Sequence, residues 1–188
     1  MNELLRTPID MSDLSHIWRT NSKTKGMTPP LAVEYDRVMR CRSIESLYGS
    51  KMNNAIILFY PGVQHESGDV DGHYTAMIRH PDSIHFYDPY GFTPDMARRW
   101  SDERLYVGSE SLLKLMRKLY QKGEWVDYSH YPHQSKTPQI STCGRHCLTR
   151  CLFSNLTNDE YDTEIRRIAK HHHCSDLDEL VCRIWPIV

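Results

Sequence analysis

Three residues that together could run nucleophilic catalysis are spread along the 188-residue chain: a cysteine, a histidine and an aspartate. The cysteine is Cys143, in the stretch PQISTCGRHCLTRCLF at positions 138–153. Small hydroxyl residues lead into a thiol and a glycine, and Cys147, Leu148, Cys151 and Leu152 then recur as one apolar face. The pattern predicts a buried helix capped by Ser141 or Thr142, with Cys143 in its first turn. Unpaired N–H groups and the positive end of the helix dipole favour an anion there. A thiolate is the nucleophilic form of cysteine, so the position suits attack on a carbonyl. Gly144 would let a substrate carbonyl approach, and the N–H groups of the helix start would form part of an oxyanion hole. A cysteine at a helix start is commonly just a small buried residue, and Cys147 and Cys151, at helical spacing, read that way.

A nucleophile needs a base, and the base an orienting partner. His73 opens the apolar-alternating run HYTAMIRH, and Asp88 closes SIHFYDPYG. The short turn at Pro81–Ser83 predicts that the two runs pair as a hairpin. The start of one strand would then lie beside the end of the next, bringing His73 and Asp88 together as base and orienter. Asp88 is also good turn chemistry, as the first residue of DPYG. His65, His80, His85 and the run His171–His173 read as solvated surface residues.

Further elements must hold these groups. NAIILFYP at 54–61 is a continuous apolar run of strand length, expected to end at Pro61 and Gly62 before the polar loop GVQHESGDVDG. SESLLKLMRKLYQKG at 109–123 places Leu112, Leu115, Met116 and Leu119 on one helical face, with Gly123 at the C-cap. DMSDLSHIWRTN at 10–21 predicts a short helix capped by Ser12 or Asp13. EWVDYSHY predicts a strand closed by Pro132, and FTPDMARRWSDERL a loop with some helix. NDEYDTEIRRIAKHHHC and DLDELVCRIW predict two further helices. Residues 31–48 fit either a helix or a strand and turn. The order predicts one α+β domain over residues 1–188.

Composition narrows the function. Hydrophobic residues at 39% and charged residues at 25% are ordinary for a folded globular protein. A net charge of −1 gives no surplus of positive charge for nucleic acid. No apolar run reaches the ~18 residues of a membrane span, and the start MNELLRTPIDMSDL lacks a secretory leader's apolar core. The six cysteines are then expected to be mostly free thiols in a reducing compartment.

GHYTAMIRHPDSIHFYDPYG, followed some fifty residues later by a strand, a glutamine and STCGRHC, resembles the adenovirus maturation protease (adenain) and the related ubiquitin-like-protein proteases. The chain order His, Asp, Cys is the reverse of papain's. The TCGR form and small size are most similar to proteases of virophages, Polinton-like elements and large DNA viruses. The likeness covers residues 54–155. It implies an adenain-like fold, with a central mixed, mainly antiparallel sheet flanked by helices. It also implies Cys143 as nucleophile, His73 as general base, Asp88 as its orienter, and a glutamine donating to the oxyanion. Gln134, at a strand end nine residues before the cysteine, is the better-placed candidate; Gln139, four residues before, is the other. Tyr74 stands where relatives carry a Trp shielding the histidine, and Arg145 where many carry an apolar residue. Arg145 would strengthen the local positive field or bind a substrate acid.

By that resemblance the chain would be an endopeptidase of viral capsid or other structural precursors, working in the virion, the infected-cell cytoplasm or the virus factory. It would need no cofactor or metal and no membrane. An activating peptide or DNA, as in adenovirus, finds no support in the charge. Deconjugation of a ubiquitin-like modifier is the same chemistry on an isopeptide. A reading from another class is a metal or interaction module built on HHHC (His171–Cys174) with Cys182. Three adjacent histidines on a helix point in three directions and suit zinc poorly.

Overall fold

The structure, a computed structural model, describes residues 2–48, 54–64, 70–97, 112–137 and 139–186. Five strands form one sheet in chain order: β1 (Leu31–Glu34), β2 (Ala55–Gln64), β3 (Val70–Arg79), β4 (Ser83–Tyr87) and β5 (Trp125–Tyr128). β2, β3 and β4 are an antiparallel meander, while β1 and β5 pair in parallel at the two edges. The helices are α1 (Asn2–Arg6), α2 (Leu14–Thr20), α3 (Tyr35–Arg40), α4 (Pro94–Ala97), α5 (Leu112–Gln121), α6 (Cys143–Leu152), α7 (Asn158–His171) and α8 (Leu177–Ile184). This is an α+β fold with a mixed sheet covered by helices on both faces.

The two-sided cover explains why β2 reads as an unbroken apolar run instead of alternating. Ile57 joins Tyr74, Ala76 and Tyr87 on one face, under α2, α6, α7 and α8. Ile56 and Leu58 join Met77 and Phe86 on the other, under α3 and α5. The expected stripe of α5 is buried at all four positions, and Gly123 takes the left-handed φ of 89° beyond its end. The hairpin forms as expected, with His80 N–H donating to Ser83 O at 2.8 Å across the turn.

Two expectations change. β2 does not stop at Pro61 but runs to Gln64, with a register shift between Pro61 and Gln64. β1 ends opposite Phe59, so beyond it β2 has no neighbour on that side among the described residues and tolerates a residue without an N–H. Residues 31–48 hold both alternatives in succession, β1 running directly into α3. The helical expectations for 98–105 and 109–111, most of the polar loop after Gln64, and His65 lie outside the described residues. No helix among the described residues is long and apolar enough to cross a membrane.

The C-terminal helices close the core beneath α6. Trp185 is fully buried, stacks on Trp18 at 5.8 Å, and donates its indole N–H to Thr149 Oγ1 at 2.9 Å. Trp185→Ala leaves a cavity and removes one of the two hydrogen bonds of the Thr149 hydroxyl, and is expected to cost about 3–5 kcal/mol, read as a lower urea midpoint at unchanged m-value.

Candidate active site

Cys143 is the first residue of α6, which begins where Thr142 O accepts from His146 N–H at 3.0 Å. Thr142 is the N-cap residue, as one expected alternative had it, yet its hydroxyl does not cap the helix. It donates to Asp178 Oδ1 instead. The Cys143 side chain is half-buried, whereas Cys147 and Cys151 are buried in the core as expected. Burial pushes both of those thiols up, Cys151 to about 12. All six cysteines are free thiols.

The hairpin brings His73 and Asp88 together. Continuing the β3–β4 register from Ala76–Tyr87 sets Asp88 opposite Thr75 and diagonal to His73. His73 Nε2 meets Asp88 Oδ2 at 3.1 Å, and both residues are almost wholly shielded from water. Asp88 is at once orienter and turn starter. Its Oδ1 accepts from Tyr90 N–H at 2.7 Å, and its carbonyl accepts from Gly91 N–H at 2.8 Å. Gly91 has φ of 73°, and a Cβ there would lie 3.0 Å from His130 O, so this turn needs glycine.

The Cys143 thiol lies close enough to the His73 ring to help raise its pKa. Burial pulls the imidazole's pKa down, but the charge and hydrogen bond of Asp88, together with Cys143, outweigh it and raise the pKa to about 9. The ring is therefore the resting place of a proton at neutral pH. Tyr90 stacks on it at 5.0 Å and 18°. Tyr74 does not take that role: it alternates to the opposite side of β3, packing on Phe59 and against Gly144.

Gln134 lies between these elements. Its backbone N–H donates to Pro89 O at 2.9 Å, beside Asp88, and its Nε2 donates to Ile140 O at 3.2 Å, three residues before Cys143. The side chain is 4% exposed and its Oε1 has no partner among the described residues. Such an orphaned buried acceptor costs about 1–3 kcal/mol. Gln139 is exposed.

Other expectations are corrected. Arg145 does not lie on the Cys143 side of α6. Two residues beyond Cys143 it stands about 200° around the helix, where it is fully buried. There it donates to Trp185 O at 3.2 Å and Thr7 O at 2.7 Å. Gly144 is packed under Tyr74 and Ile9, not open to a substrate. His85 is buried, bonded to Ser83 Oγ at 3.0 Å and Asp127 Oδ2 at 3.1 Å, because β5 covers that edge of β4. Sequence reasoning passed over His133, His146 and Asp178, all buried near Gln134 and the start of α6. His133 is held neutral: burial foremost, with His146 adding to it, pulls its pKa to about 4 against the opposing pull of Asp162. His133 Nε2–H then donates to Asp162 at 2.8 Å, and Nδ1 accepts from Tyr87 OH at 3.0 Å. Nothing in the local sequence marks these residues, since their partners lie some 30 to 46 positions away.

Among the described residues no group of three or more His, Cys, Asp or Glu side chains is placed to hold a metal ion. His171–His173 are exposed while Cys182 is in the core, so the proposed metal ligands do not converge.

The site is thus a carboxylate–imidazole pair, dry on all sides, set against a half-exposed thiol at a helix start. No family model matches the chain. The chain is similar to the uncharacterized protein V9 of Sputnik virophage, 26% identical over 161 residues, which cover 81% of this chain and 83% of that protein.

Proposed function

We propose that the chain is a cysteine endopeptidase that cleaves capsid or other structural precursors of a virus, in the manner of the adenain-like proteases its motifs resemble. The observation that carries this reading is the placement of the Cys143 thiol, at the start of α6, within electrostatic reach of a His73 ring already bonded to Asp88. A raised imidazole pKa beside sulfur favours transfer of the thiol proton to the ring, the ion-pair form in which cysteine attacks carbonyls. The likeness to a virophage protein supports a viral setting, and six free thiols suit a reducing compartment such as host cytoplasm or virus factory.

In the proposed reaction the Cys143 thiolate adds to the scissile carbonyl. The developing oxyanion is held by the Cys143 backbone N–H and by Gln134 Nε2, which has one hydrogen left after its bond to Ile140 O. His73 gives its proton to the leaving amine, leaving a thioester. It then takes a proton from water as the hydroxide adds, and the acid product and free thiol are regenerated.

Gln134→Ala is expected to lower kcat by about 10²–10³-fold, the loss typical of one oxyanion donor. Gln139→Ala is expected to leave kcat unchanged. The reverse order, measured on the same precursor, would move the donor to Gln139. The function itself is tested by incubating the protein with capsid precursor and, separately, with a modifier conjugate. Precursor cleavage is expected, and release of the modifier alone would make it a deconjugating isopeptidase.

A further inference from the structure

The Gln134 side chain reaches the approach to α6 through its bond to Ile140 O, but that one bond does not fix the distance from Gln134 to the Cys143 N–H. Another side chain bridges the two stretches. Asp178, in the first turn of α8, is 1% exposed and turns its carboxylate away from its own helix. Its Oδ2 accepts from Ser135 N–H at 2.9 Å, immediately after Gln134. Its Oδ1 accepts from the hydroxyl of Thr142, immediately before Cys143, and from His146 Nε2 at 3.0 Å, one turn along α6. We propose that Asp178 is a positioning residue that sets the spacing of the two oxyanion donors, Gln134 and the Cys143 N–H, through Ser135 and Thr142. The proposal rests on the protease reading above.

The physical case is one of cost and rigidity. A buried carboxylate is tolerated only when donors surround it, and here three converge, one from the Gln134 loop and two from the start of α6. Burial pushes the Asp178 carboxyl up, but the bonds from His146, Thr142 and Ser135 outweigh it and hold it below the usual range, so it is ionised at neutral pH. Charged hydrogen bonds are shorter and stronger than neutral ones. Thr142, by spending its hydroxyl on Asp178, also leaves the first N–H groups of α6 uncapped by its side chain. An oxyanion hole works only when its donors are held in place before the charge develops.

The test separates positioning of the donors from general support of the fold. Alkylation of Cys143 by iodoacetamide displaces iodide at sulfur and needs no oxyanion hole; amide hydrolysis does. For Asp178→Asn and for Thr142→Val, kcat on a fluorogenic peptide amide with glycine before the coumarin is expected to fall about 10- to 100-fold. KM and the rate of Cys143 alkylation are expected to stay within about threefold in both variants, because groups acting only in the transition state change kcat alone. Thr142→Ser, which keeps the hydroxyl, should restore turnover. Unchanged kcat in Thr142→Val would overturn the proposal. So would a parallel loss of alkylation and turnover, which marks ordinary loss of structure. Should Asp178→Asn fail to fold, the Thr142→Val and Thr142→Ser pair decides alone. Cleavage surviving in Cys143→Ala would remove the protease reading; an inactive Cys143→Ala beside a fully active Thr142→Val would remove only the role of Asp178.

Discussion

Cys143→Ala is expected to reduce precursor cleavage by about 10⁴-fold or more, because alanine cannot form the thioester. The fold should be indifferent to the change. The side chain is half-buried and opens a helix, and alanine is the best helix former, so stability should move by less than about 1 kcal/mol. Iodoacetamide gives a second readout. Cys147 and Cys151 are enclosed in the core with their thiols pushed up by burial, so they should react far more slowly than Cys143 at neutral pH. Peptide mapping after brief treatment should find the label at Cys143, and equal labelling of the three would count against an activated thiolate. Retained cleavage by the alanine variant would end the assignment of the nucleophile.

Asp88→Asn should be nearly as damaging and should leave a signature in pH. Asp88 is the chief group raising the His73 pKa to about 9 against burial. In the wild type, activity should therefore fall along an alkaline limb near 9, where the imidazolium deprotonates. Without the carboxylate charge, burial prevails and the His73 pKa drops below its ordinary 6.5. The ion pair is then absent at neutral pH, and kcat/KM at pH 7.5 should drop by about 10²–10⁴-fold. Stability carries the same sign. The folded pKa of His73 is raised, so the pair's contribution is complete below about 6.5 and is lost as pH rises through about 9. Urea midpoints recorded from pH 6 to 10 should decline in the wild type more than in Asp88→Asn. An alkaline limb unmoved by the substitution would show that another group controls it.

The hairpin and the Cys143 helix are legible in the sequence because each rests on local pattern. The β3–β4 alternation and its three-residue turn fix a register, and register alone makes neighbours of His73 and Asp88. The apolar face of α6 likewise places Cys143 at a helix start. What the sequence hides is long-range. Pro61 looks like a strand end because proline usually is one, and only the shortness of β1 makes it harmless. Arg145 looks available to a substrate until the helical angle turns it to the far side. His85 looks like a surface residue until β5, 42 positions on at Asp127, covers it. The contribution of Asp178 depends on α8 folding back beneath α6, which no pattern within α8 declares.

The guanidinium of Arg145 grips one carbonyl near each extremity of the described chain, at Thr7 and at Trp185, from a fully enclosed position on the nucleophile's own helix. Detachment of either segment would leave a buried cation short of one of its two carbonyls, a loss of about 1.5–3 kcal/mol. Fraying at Thr7 or at Trp185 should therefore loosen the helix that begins at Cys143.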